Sequence, residues 1–388
     1  MRIGIVSDLL YPKGKGTGLS RYLSNLLIYL SQIDKENDYI LFHRKDSPNP
    51  LYEKYEHVNY GKYASRLPLP FFISWEIALV KALKHHPVDL IHEPSGVGLP
   101  LLSWPPRNVM TLMDISANLF PRASTLKATT EFRTRLPIAL WKTDKVIAPS
   151  VATKKDVEKV FSWSRGKISV VPLGLTPDFG RSDDIEVTET LAKYGIHKPY
   201  VLMHAVHRWN KNTLGAVEVF HRITQLVNSK EINFVISGGM QPDLQTKVRE
   251  LASKLGISDK LTMTGYMDDV EVPSLITGTS VFLYPTLYEG FGLPPLEAMM
   301  CGAPIVASSV PTMLEILGDA ALTAPPHDVE SLAKHASLLI TDRSLAKEMG
   351  LKALRQSQKY TAEKTAKETV DIYKELIVNE SRWRFRSC

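Results

Sequence analysis

YPTLYEGFGLPPLEAMMCGAPIVA, residues 284–307, is the stretch of sequence that decides the fold. It follows a short apolar run and contains, in order, a glycine loop, a helical pattern and the beginning of a strand. Gly290 and Gly292 permit a tight turn with exposed backbone N–H groups. The prolines at 294 and 295 suit the first turn of a helix, where a missing N–H group costs little. The N-terminus of this helix therefore points at the loop and makes a site for an anion.

Two carboxylates lie eight positions apart in the same stretch. Glu289 belongs to the loop, and Glu297 is predicted to lie in the first turn of the helix. One of them could reach the hydroxyl groups of a ligand while the other holds a different part of it. The alternative is that Glu297 complements the helix dipole and that Glu289 is a solvated loop charge.

Outward from this stretch, short apolar runs alternate with longer helical patterns along the chain. This alternation predicts an α/β fold with parallel sheets and helices on both faces. The predicted strands are residues 3–7, 39–43, 90–92, 109–113 and 145–148, and then 200–205, 233–237, 261–264, 281–284 and 304–307. The predicted helices include residues 19–31, 150–160, 214–227, 242–255 and 362–378.

The alternation breaks at residues 176–198, which combine a proline, a glycine and a charged run. A length of 388 residues also fits two domains better than one. We therefore expect one domain at 1–178 and a second at 179–361, with a cleft between them. The C-terminal helix, within 362–388, is expected to pack back toward the first domain.

Composition and charge narrow the class of protein. With 44% hydrophobic and 23% charged residues, the chain is not disordered, collagen-like or a coiled coil. The net charge of +6 is uneven, because residues 1–180 hold 24 Lys and Arg against 16 Asp and Glu. Two cysteines, Cys301 and Cys388, cannot form a disulfide framework, and the N-terminal apolar run is too short for a signal peptide. We expect a cytoplasmic protein that can lie against the inner face of a membrane.

The string from Glu289 to Pro304 resembles the signature of glycosyltransferase family 4, whose members are retaining enzymes of GT-B fold. Segments 146–156, 167–174, 265–266 and 318–320 also fall where that family places them. The resemblance implies two Rossmann-like domains that face each other across a cleft. It further implies that the first domain binds the acceptor and the second binds a nucleotide-sugar donor.

The resemblance also assigns roles in the glycine loop. Glu289 is implied to contact the donor sugar near the reacting centre, and Glu297 to bind the ribose hydroxyls of the nucleotide. The backbone amides around Gly290, at Phe291, Gly292 and Leu293, are implied to line the pocket for the sugar and diphosphate.

A second glycine-rich loop lies at residues 13–21. It fails as a dinucleotide fingerprint, because its first glycine lies seven residues after the first strand. A flexible turn is the plain interpretation. The family places such a loop at the cleft, which makes Gly16, Thr17 and Gly18 candidates for the donor phosphate and Arg21 a candidate for the acceptor.

A third segment, residues 204–212, follows the first strand of the second domain. Lys211 matches a lysine that the family uses at the diphosphate, although it could also be a solvated loop lysine. Ala205 and Val206 stand where the family has a glycine and a basic residue, and Arg208 could substitute for the latter.

The fourth segment departs from the family. Met113 stands where the family has a histidine that contributes to the sugar pocket, while the following Asp114 is kept as a candidate catalytic residue. His92, at the end of the third strand, is predicted to point toward the cleft edge and is a candidate for the acceptor. A lone histidine is more often structural.

No Asp-x-Asp motif and no His/Cys cluster at zinc spacing occurs in the sequence. We therefore expect no cofactor or metal, so that Lys211, Arg208 and backbone N–H groups would neutralise the departing diphosphate. The basic, aromatic segment 60–86 suggests an anionic membrane surface, with a surface loop and a core helix as the alternative. No recognised nucleic-acid motif accompanies the charge.

The resemblance implies a retaining hexosyltransferase, and the absence of metal motifs from the sequence leads us to expect a metal-independent one. Its donor is expected to be a nucleoside-diphosphate sugar, with a lean toward GDP-mannose, and its acceptor a glycan, a glycolipid or a lipid-linked saccharide. One alternative is a GT-B epimerase or hydrolase that acts on the nucleotide sugar alone. The other is a catalytically silent subunit that binds the sugar nucleotide.

Overall fold

A computed structural model describes residues 1–11, 18–46, 49–64, 71–94, 96, 107–204, 208–227 and 231–384. The chain divides into two compact units. The first comprises Met1–Thr176 together with Thr361–Cys388, and the second comprises Pro177–Tyr360. Each unit has its own parallel sheet and its own hydrophobic core.

Within the described residues, the first unit has a sheet of seven strands in the order β3-β2-β1-β4-β5-β6-β7. All pairs in it are parallel. The central strands are buried along almost their whole length, as expected where helices cover both faces of a parallel sheet. The strands are β1 (Arg2–Val6), β2 (Asp38–His43), β3 (Glu56–Asn59), β4 (Leu90–Glu93), β5 (Arg107–Thr111), β6 (Lys145–Ala148) and β7 (Ile168–Val170).

In the described residues, five α-helices connect these strands, and a sixth returns to this unit from the end of the chain. They are α1 (Gly18–Ile33), α2 (Phe71–His85), α3 (Ser116–Leu119), α4 (Leu126–Lys142), α5 (Val151–Val160) and α14 (Ala362–Arg384). Ser150 is the N-cap of α5, because its hydroxyl accepts a hydrogen bond from the Thr153 amide at 3.0 Å. The helix α14 packs on α1.

The second unit has a sheet of six described strands in the order β10-β9-β8-β11-β12-β13, again all parallel. The strand order reverses between β8 and β11. The strands are β8 (Tyr200–His204), β9 (Asn233–Ser237), β10 (Leu261–Gly265), β11 (Val281–Tyr284), β12 (Ile305–Ser308) and β13 (Leu322–Ala324).

Eight α-helices lie in the described part of the second unit. They are α6 (Asp184–Lys193), α7 (Thr213–Leu226), α8 (Pro242–Lys254), α9 (Val272–Thr277), α10 (Leu293–Met300), α11 (Pro311–Leu317), α12 (Val329–Thr341) and α13 (Arg343–Ser357). A capping box formed by Asp183 and Glu186 fixes the start of α6, inside the predicted break in the alternation.

The predicted α/β class with two Rossmann-like parallel sheets is confirmed. All ten strands predicted from the apolar runs are present, with ends that shift by one or two residues. The apolar runs do not predict β3, β7 and β13, which lie at sheet edges and are only partly apolar. Among the helices of the described residues, none is both long and apolar enough to span a membrane.

Candidate functional site

The candidate site of the second unit lies at the carboxyl ends of its strands. His204 ends β8 and Tyr284 ends β11, the two neighbouring strands between which the strand order reverses. In open parallel sheets, ligands bind at this kind of switch point. The loops that follow these two strands contain Lys211 and Glu289, respectively.

Lys211 is buried rather than solvated. It ends a short 3₁₀ turn, Trp209–Lys211, and the next residue, Asn212, adopts the left-handed conformation with φ of 58°. The lysine is 6% exposed. Its Nζ lies 2.6 Å from Glu289 Oε1 and 2.5 Å from the Tyr284 hydroxyl. The alternative of a solvated loop lysine is therefore wrong.

Glu289 is held through one of its two carboxylate oxygens. Besides Lys211, its Oε1 accepts hydrogen bonds from Tyr284 at 2.9 Å, Thr286 Oγ1 at 3.0 Å and Asn210 Nδ2 at 3.3 Å. The backbone carbonyl of Glu289 also accepts a bond from Thr312 Oγ1 at 2.7 Å. A carboxylate with one oxygen surrounded by donors is fixed in orientation, which leaves Oε2 as the oxygen suited to a ligand.

The glycine loop leads into α10 as predicted, and Gly292 is the residue that makes this possible. Its φ of 101° lies in the left-handed region, and a Cβ there would lie 2.5 Å from Met313 Cε. Gly290, Phe291 and Gly292 are buried, whereas the sequence suggested a tight turn with exposed backbone N–H groups. The Phe291 side chain is buried because its ring packs edge-on against Tyr360, with 5.8 Å between the ring centroids.

The two prolines lie in the first turn of α10, where neither has an N–H group to offer. Leu293 is the first residue of this helix and is half-buried. The backbone donors near a ligand would therefore come from the loop and Leu293 rather than from the rest of the first turn.

Glu297 is the fifth residue of α10, so its predicted place in the first turn is wrong by one turn. It is buried, and its Oε2 lies 3.6 Å from Nε2 of His204. The other ring nitrogen of His204, Nδ1, lies 2.6 Å from Ser237 Oγ at the end of β9. Glu297 and Glu289 thus lie in one unit, on the helix and on the loop that precedes it.

Arg208 is exposed at the start of the 3₁₀ turn. The neighbouring Ala205 and Val206, at which the sequence departs from the family, lie outside the described residues.

The remaining candidates belong to the first unit. Asp114 is half-buried and accepts a hydrogen bond from the Ser116 amide at 2.7 Å, at the beginning of α3. Met113 is half-buried, and its carbonyl lies 3.5 Å from Thr153 Oγ1. Gly18 is the exposed first residue of α1, and Arg21 lies half-buried in its first turn. Gly16 and Thr17 lie outside the described residues.

His92 does not point toward an open edge, contrary to the prediction. Its side chain is fully buried, with Nδ1 2.6 Å from the Tyr373 hydroxyl and Nε2 2.8 Å from Thr111 Oγ1. Both ring nitrogens are thus occupied by neighbours from α14 and β5. Burial lowers the pKa of His92 to about 3, so the ring is neutral. The structural interpretation of this histidine is the correct one.

The sequence does not single out Tyr284, Thr286, Asn210 and His204 as site residues. All four lie inside segments that drew attention for other residues, but their own side chains follow no motif. Their one common signal is position, since each lies at the end of β8 or β11 or in the loop that follows. Within the described ranges, no group of three or more His, Cys, Asp or Glu residues lies close enough to hold a metal ion.

Two family models match the chain. The model described as "Glycosyltransferase Family 4" matches residues 16–179, and the model described as "Glycosyl transferases group 1" matches residues 187–356. Together they cover most of both units.

Among curated proteins, the chain is similar to O-antigen chain mannosyltransferase B of Escherichia coli. The two are 27% identical over 273 residues, which is 70% of this chain and 71% of that protein. The chain is also 28% identical over 186 residues to the serotype-specific mannosyltransferase WbdA of Escherichia coli. That match spans 48% of this chain but only 23% of the longer WbdA.

Among solved structures, HepE from Anabaena in complex with UDP-glucose superposes with a TM-score of 0.75 at 16% identity. The match covers 97% of this chain and 100% of that one. WaaG, a glycosyltransferase involved in lipopolysaccharide biosynthesis, superposes with a TM-score of 0.72 at 17% identity, with 96% and 99% of the two chains covered. At such identities, the likeness establishes a shared fold.

Proposed function

Because the chain belongs to the family 4 glycosyltransferases of GT-B fold, and is thus a glycosyltransferase, we propose that it moves a hexosyl residue from a nucleoside-diphosphate sugar to a saccharide or lipid-linked acceptor. The transfer would retain the anomeric configuration. The observation that carries this proposal is the buried Lys211–Glu289 pair at the carboxyl edge of the second sheet.

The pair can serve both ends of such a donor. Lys211 uses two of its three ammonium protons on Glu289 and Tyr284, and the third can bind a phosphate oxygen. A fixed ammonium stabilises the negative charge that develops on a departing diphosphate, because it needs no reorganisation during the reaction. Glu289 Oε2 would bind a sugar hydroxyl, and Glu297 would bind the ribose. In this proposal, Lys211, Arg208 and loop N–H groups supply the positive charge without a metal.

Mannose is our first choice of sugar, with GDP-mannose as donor. The curated relatives named above are mannosyltransferases, which supports this choice. UDP-glucose is the second choice, since a structure of the same fold holds it.

A thermal-shift screen with UDP-, GDP-, ADP- and dTDP-sugars tests the donor. A ligand that binds only the folded state raises its melting temperature. We expect GDP-mannose to give the largest shift and a radiolabelled mannosyl group to appear in an oligosaccharide or lipid-linked acceptor. A changed sugar nucleotide in the absence of acceptor would instead indicate an epimerase or hydrolase. Binding without turnover on any acceptor would indicate a silent subunit.

We further propose that the first unit contacts an anionic membrane, where a lipid-linked acceptor would lie. Segment 60–86, whose composition first suggests such a surface, is described only in part, with Lys81 and Lys84 exposed on α2. A better-defined surface lies at the ends of α4 and α5. Four apolar side chains there are 42–64% exposed, namely Ile138, Trp141, Val160 and Trp163. Exposed tryptophan beside basic side chains is typical of contact with anionic lipid.

The basic side chains near this surface are Lys142, Lys159, Arg165 and Lys167. Lys167 contacts the end of α4, because its Nζ donates to the Trp141 carbonyl at 2.9 Å, and it follows Trp163 by four positions in the chain.

Sedimentation with vesicles tests this surface. We expect the protein to bind phosphatidylcholine vesicles that contain phosphatidylglycerol and Trp141→Ala to weaken that binding severalfold. Leu126→Ala is the matched control, because Leu126 is 84% exposed at the other end of the same helix. Equal binding to vesicles of phosphatidylcholine alone would remove the electrostatic argument.

A further inference from the structure

Tyr284 is a buried polar group that the donor-binding roles above do not use. It is the last residue of β11, has no exposed surface, and lies beside Phe282, with 6.0 Å between the ring centroids and 24° between the planes. An apolar ring alone would satisfy this packing. Its hydroxyl, however, lies within hydrogen-bond distance of both members of the buried ion pair.

The three groups form a closed triangle. Lys211 Nζ lies 2.6 Å from Glu289 Oε1 and 2.5 Å from the Tyr284 hydroxyl, and that hydroxyl lies 2.9 Å from the same carboxylate oxygen. An ammonium can only donate, and an ionised carboxylate can only accept. The phenol must therefore accept from Lys211 and donate to Glu289, and each bond fixes the direction of the next.

The phenol stays protonated in this position. Burial, together with the negative charge of Glu289, raises the pKa of Tyr284 well above its usual value. The hydroxyl therefore keeps the proton that it donates to Glu289.

We propose that Tyr284 is a positioning residue that holds the Lys211 ammonium and the Glu289 carboxylate in the arrangement used for transfer. The inference rests on the proposed function. Without the phenol, Glu289 is the one side-chain partner that the Lys211 ammonium keeps among the described residues, so the ammonium can follow the carboxylate or a phosphate into other positions. A displacement of about 1 Å in a catalytic group can cost far more in rate than in binding.

The competing explanation is purely structural, since any buried tyrosine hydroxyl needs a partner. The same sheet offers a matched control. Tyr200 in β8 is also fully buried, and its hydroxyl donates to the Leu275 carbonyl at 2.5 Å, away from Lys211 and Glu289. Tyr200→Phe removes the same atom from the same sheet without touching the pair.

The experiment compares Tyr284→Phe and Tyr200→Phe, each alone and combined with Lys211→Ala. Measured per folded enzyme, Tyr284→Phe should lower kcat about 10-fold while the donor Kd from calorimetry changes less than about 2-fold. In the Lys211→Ala background, the same change should cost less than about 2-fold, because Tyr284 acts through the lysine. Tyr200→Phe should lower Tm but leave kcat unchanged in both backgrounds.

Two kinetic outcomes would overturn the proposal. One is a kcat for Tyr284→Phe within about 2-fold of the wild type. The other is an equal loss in the presence and absence of Lys211, which would show that the tyrosine does not act by holding the lysine in place.

The proposed function can fail separately, through a wild-type protein that transfers no sugar. The positioning role is then decided by crystal structures of the wild type and Tyr284→Phe. A displaced Lys211 ammonium in the variant supports the role, and an unchanged lysine conformation overturns it.

Discussion

At the scale of single residues, the site depends on a pair of opposite charges, and burying either charge without the other would be costly. Lys211 and Glu289 have side chains that are 8% and 9% exposed. Removing one member of a buried pair leaves the other charge without compensation, which is more costly than losing a surface pair. The same burial makes the lysine an effective stabiliser of an incoming phosphate, because little water competes with it.

Lys211→Ala should therefore lower turnover roughly 100-fold or more, in line with the loss of one preorganised stabiliser. Steady-state kinetics on the folded variant measures this. Lys247→Ala is the control, because that lysine pairs with Asp243 at 2.7 Å on an exposed helix surface and should leave turnover unchanged. A loss below about threefold for Lys211→Ala would contradict the assignment.

Gly292 allows a second prediction at this scale. Gly292→Ala places a Cβ in the left-handed region, at a cost of about 1–2 kcal/mol, and presses it against Met313. We expect lower stability and weaker donor binding, measured by denaturant unfolding and calorimetry.

Gly256→Ala is the matched control for this change. Gly256 also has a positive φ, of 68°, but a Cβ added there would meet nothing within 4 Å. Because of this positive φ, Gly256→Ala should lower the free energy of unfolding by a similar amount. Its affinity for the donor should stay the same. Equal donor affinity in the two variants would show that the loop does not shape the pocket.

How much of this site the sequence predicts follows from the kind of contact involved. Glu289, Glu297 and Lys211 belong to motifs, so they are identified by the residues around them. The hydrogen bond from Tyr284 to Glu289 depends on where the end of a strand meets the loop, and no local pattern encodes it. The prediction for His92 is wrong for a related reason. Its partner Tyr373 lies 281 positions away, so its burial could not be seen from its neighbours.

At the scale of elements, periodicity predicts the central strands because they are buried on both faces and therefore almost purely apolar. The edge strand β3 has one buried side chain, Val58, among polar neighbours, so it carries no such signal. The helix α4 contains Pro137 and exposes Ile138 and Trp141, which blurs its helical pattern. Tertiary packing, rather than local preference, determines the conformation of both β3 and α4.

The helix α14 shows how one element is joined to a distant sheet. Tyr373 on this helix binds His92 of β4, which in turn binds Thr111 of β5. Tyr22 of α1 lies 3.0 Å from the same threonine hydroxyl. These buried hydrogen bonds connect the last helix to the first helix and to the centre of the sheet.

This chain of hydrogen bonds predicts a pH dependence of stability. The folded protein keeps His92 neutral, with a pKa of about 3, while the unfolded chain binds a proton near pH 6.5. The unfolded state therefore binds more protons between these values, and the free energy of unfolding falls as the pH decreases below about 6.5. Above that pH, His92 does not contribute to the change of the free energy of unfolding with pH. One such group accounts for up to about 1.4 kcal/mol per pH unit.

Urea unfolding at pH 7, 6, 5 and 4 measures the effect. His92→Gln should lower stability at pH 7, because it leaves Tyr373 and Thr111 without this partner, and should flatten the slope below pH 6. His85→Gln is the control, since His85 is exposed on α2 in the same unit and should keep the wild-type slope. An unchanged slope in His92→Gln would mean that another group titrates there.

At the scale of the whole molecule, the chain forms two units with separate cores, and it passes between them at residues 176–177 and 360–361. The core of the first unit centres on β1, β2 and β4 to β6 with α2 and α4, and that of the second on β8, β9 and β11 with α7 and α12. Lys211, Glu289 and Glu297, which are proposed to bind the donor, all belong to the second unit.

Calorimetry should therefore resolve two unfolding transitions, and a nucleotide should raise the melting temperature of one of them. At about 100 times its Kd, a ligand that binds only the folded state adds about 2.7 kcal/mol to the stability of the unit that binds it. Tyr373→Phe shows which transition belongs to the first unit, because it removes a hydrogen bond inside that unit and should lower the melting temperature of that transition. Tyr200→Phe identifies the second unit in the same way. GDP should raise the melting temperature of the transition that Tyr200→Phe lowers. The melting temperature of the other transition should stay unchanged within error. If GDP raises the transition of the first unit equally, the nucleotide-binding residues are not confined to the second unit.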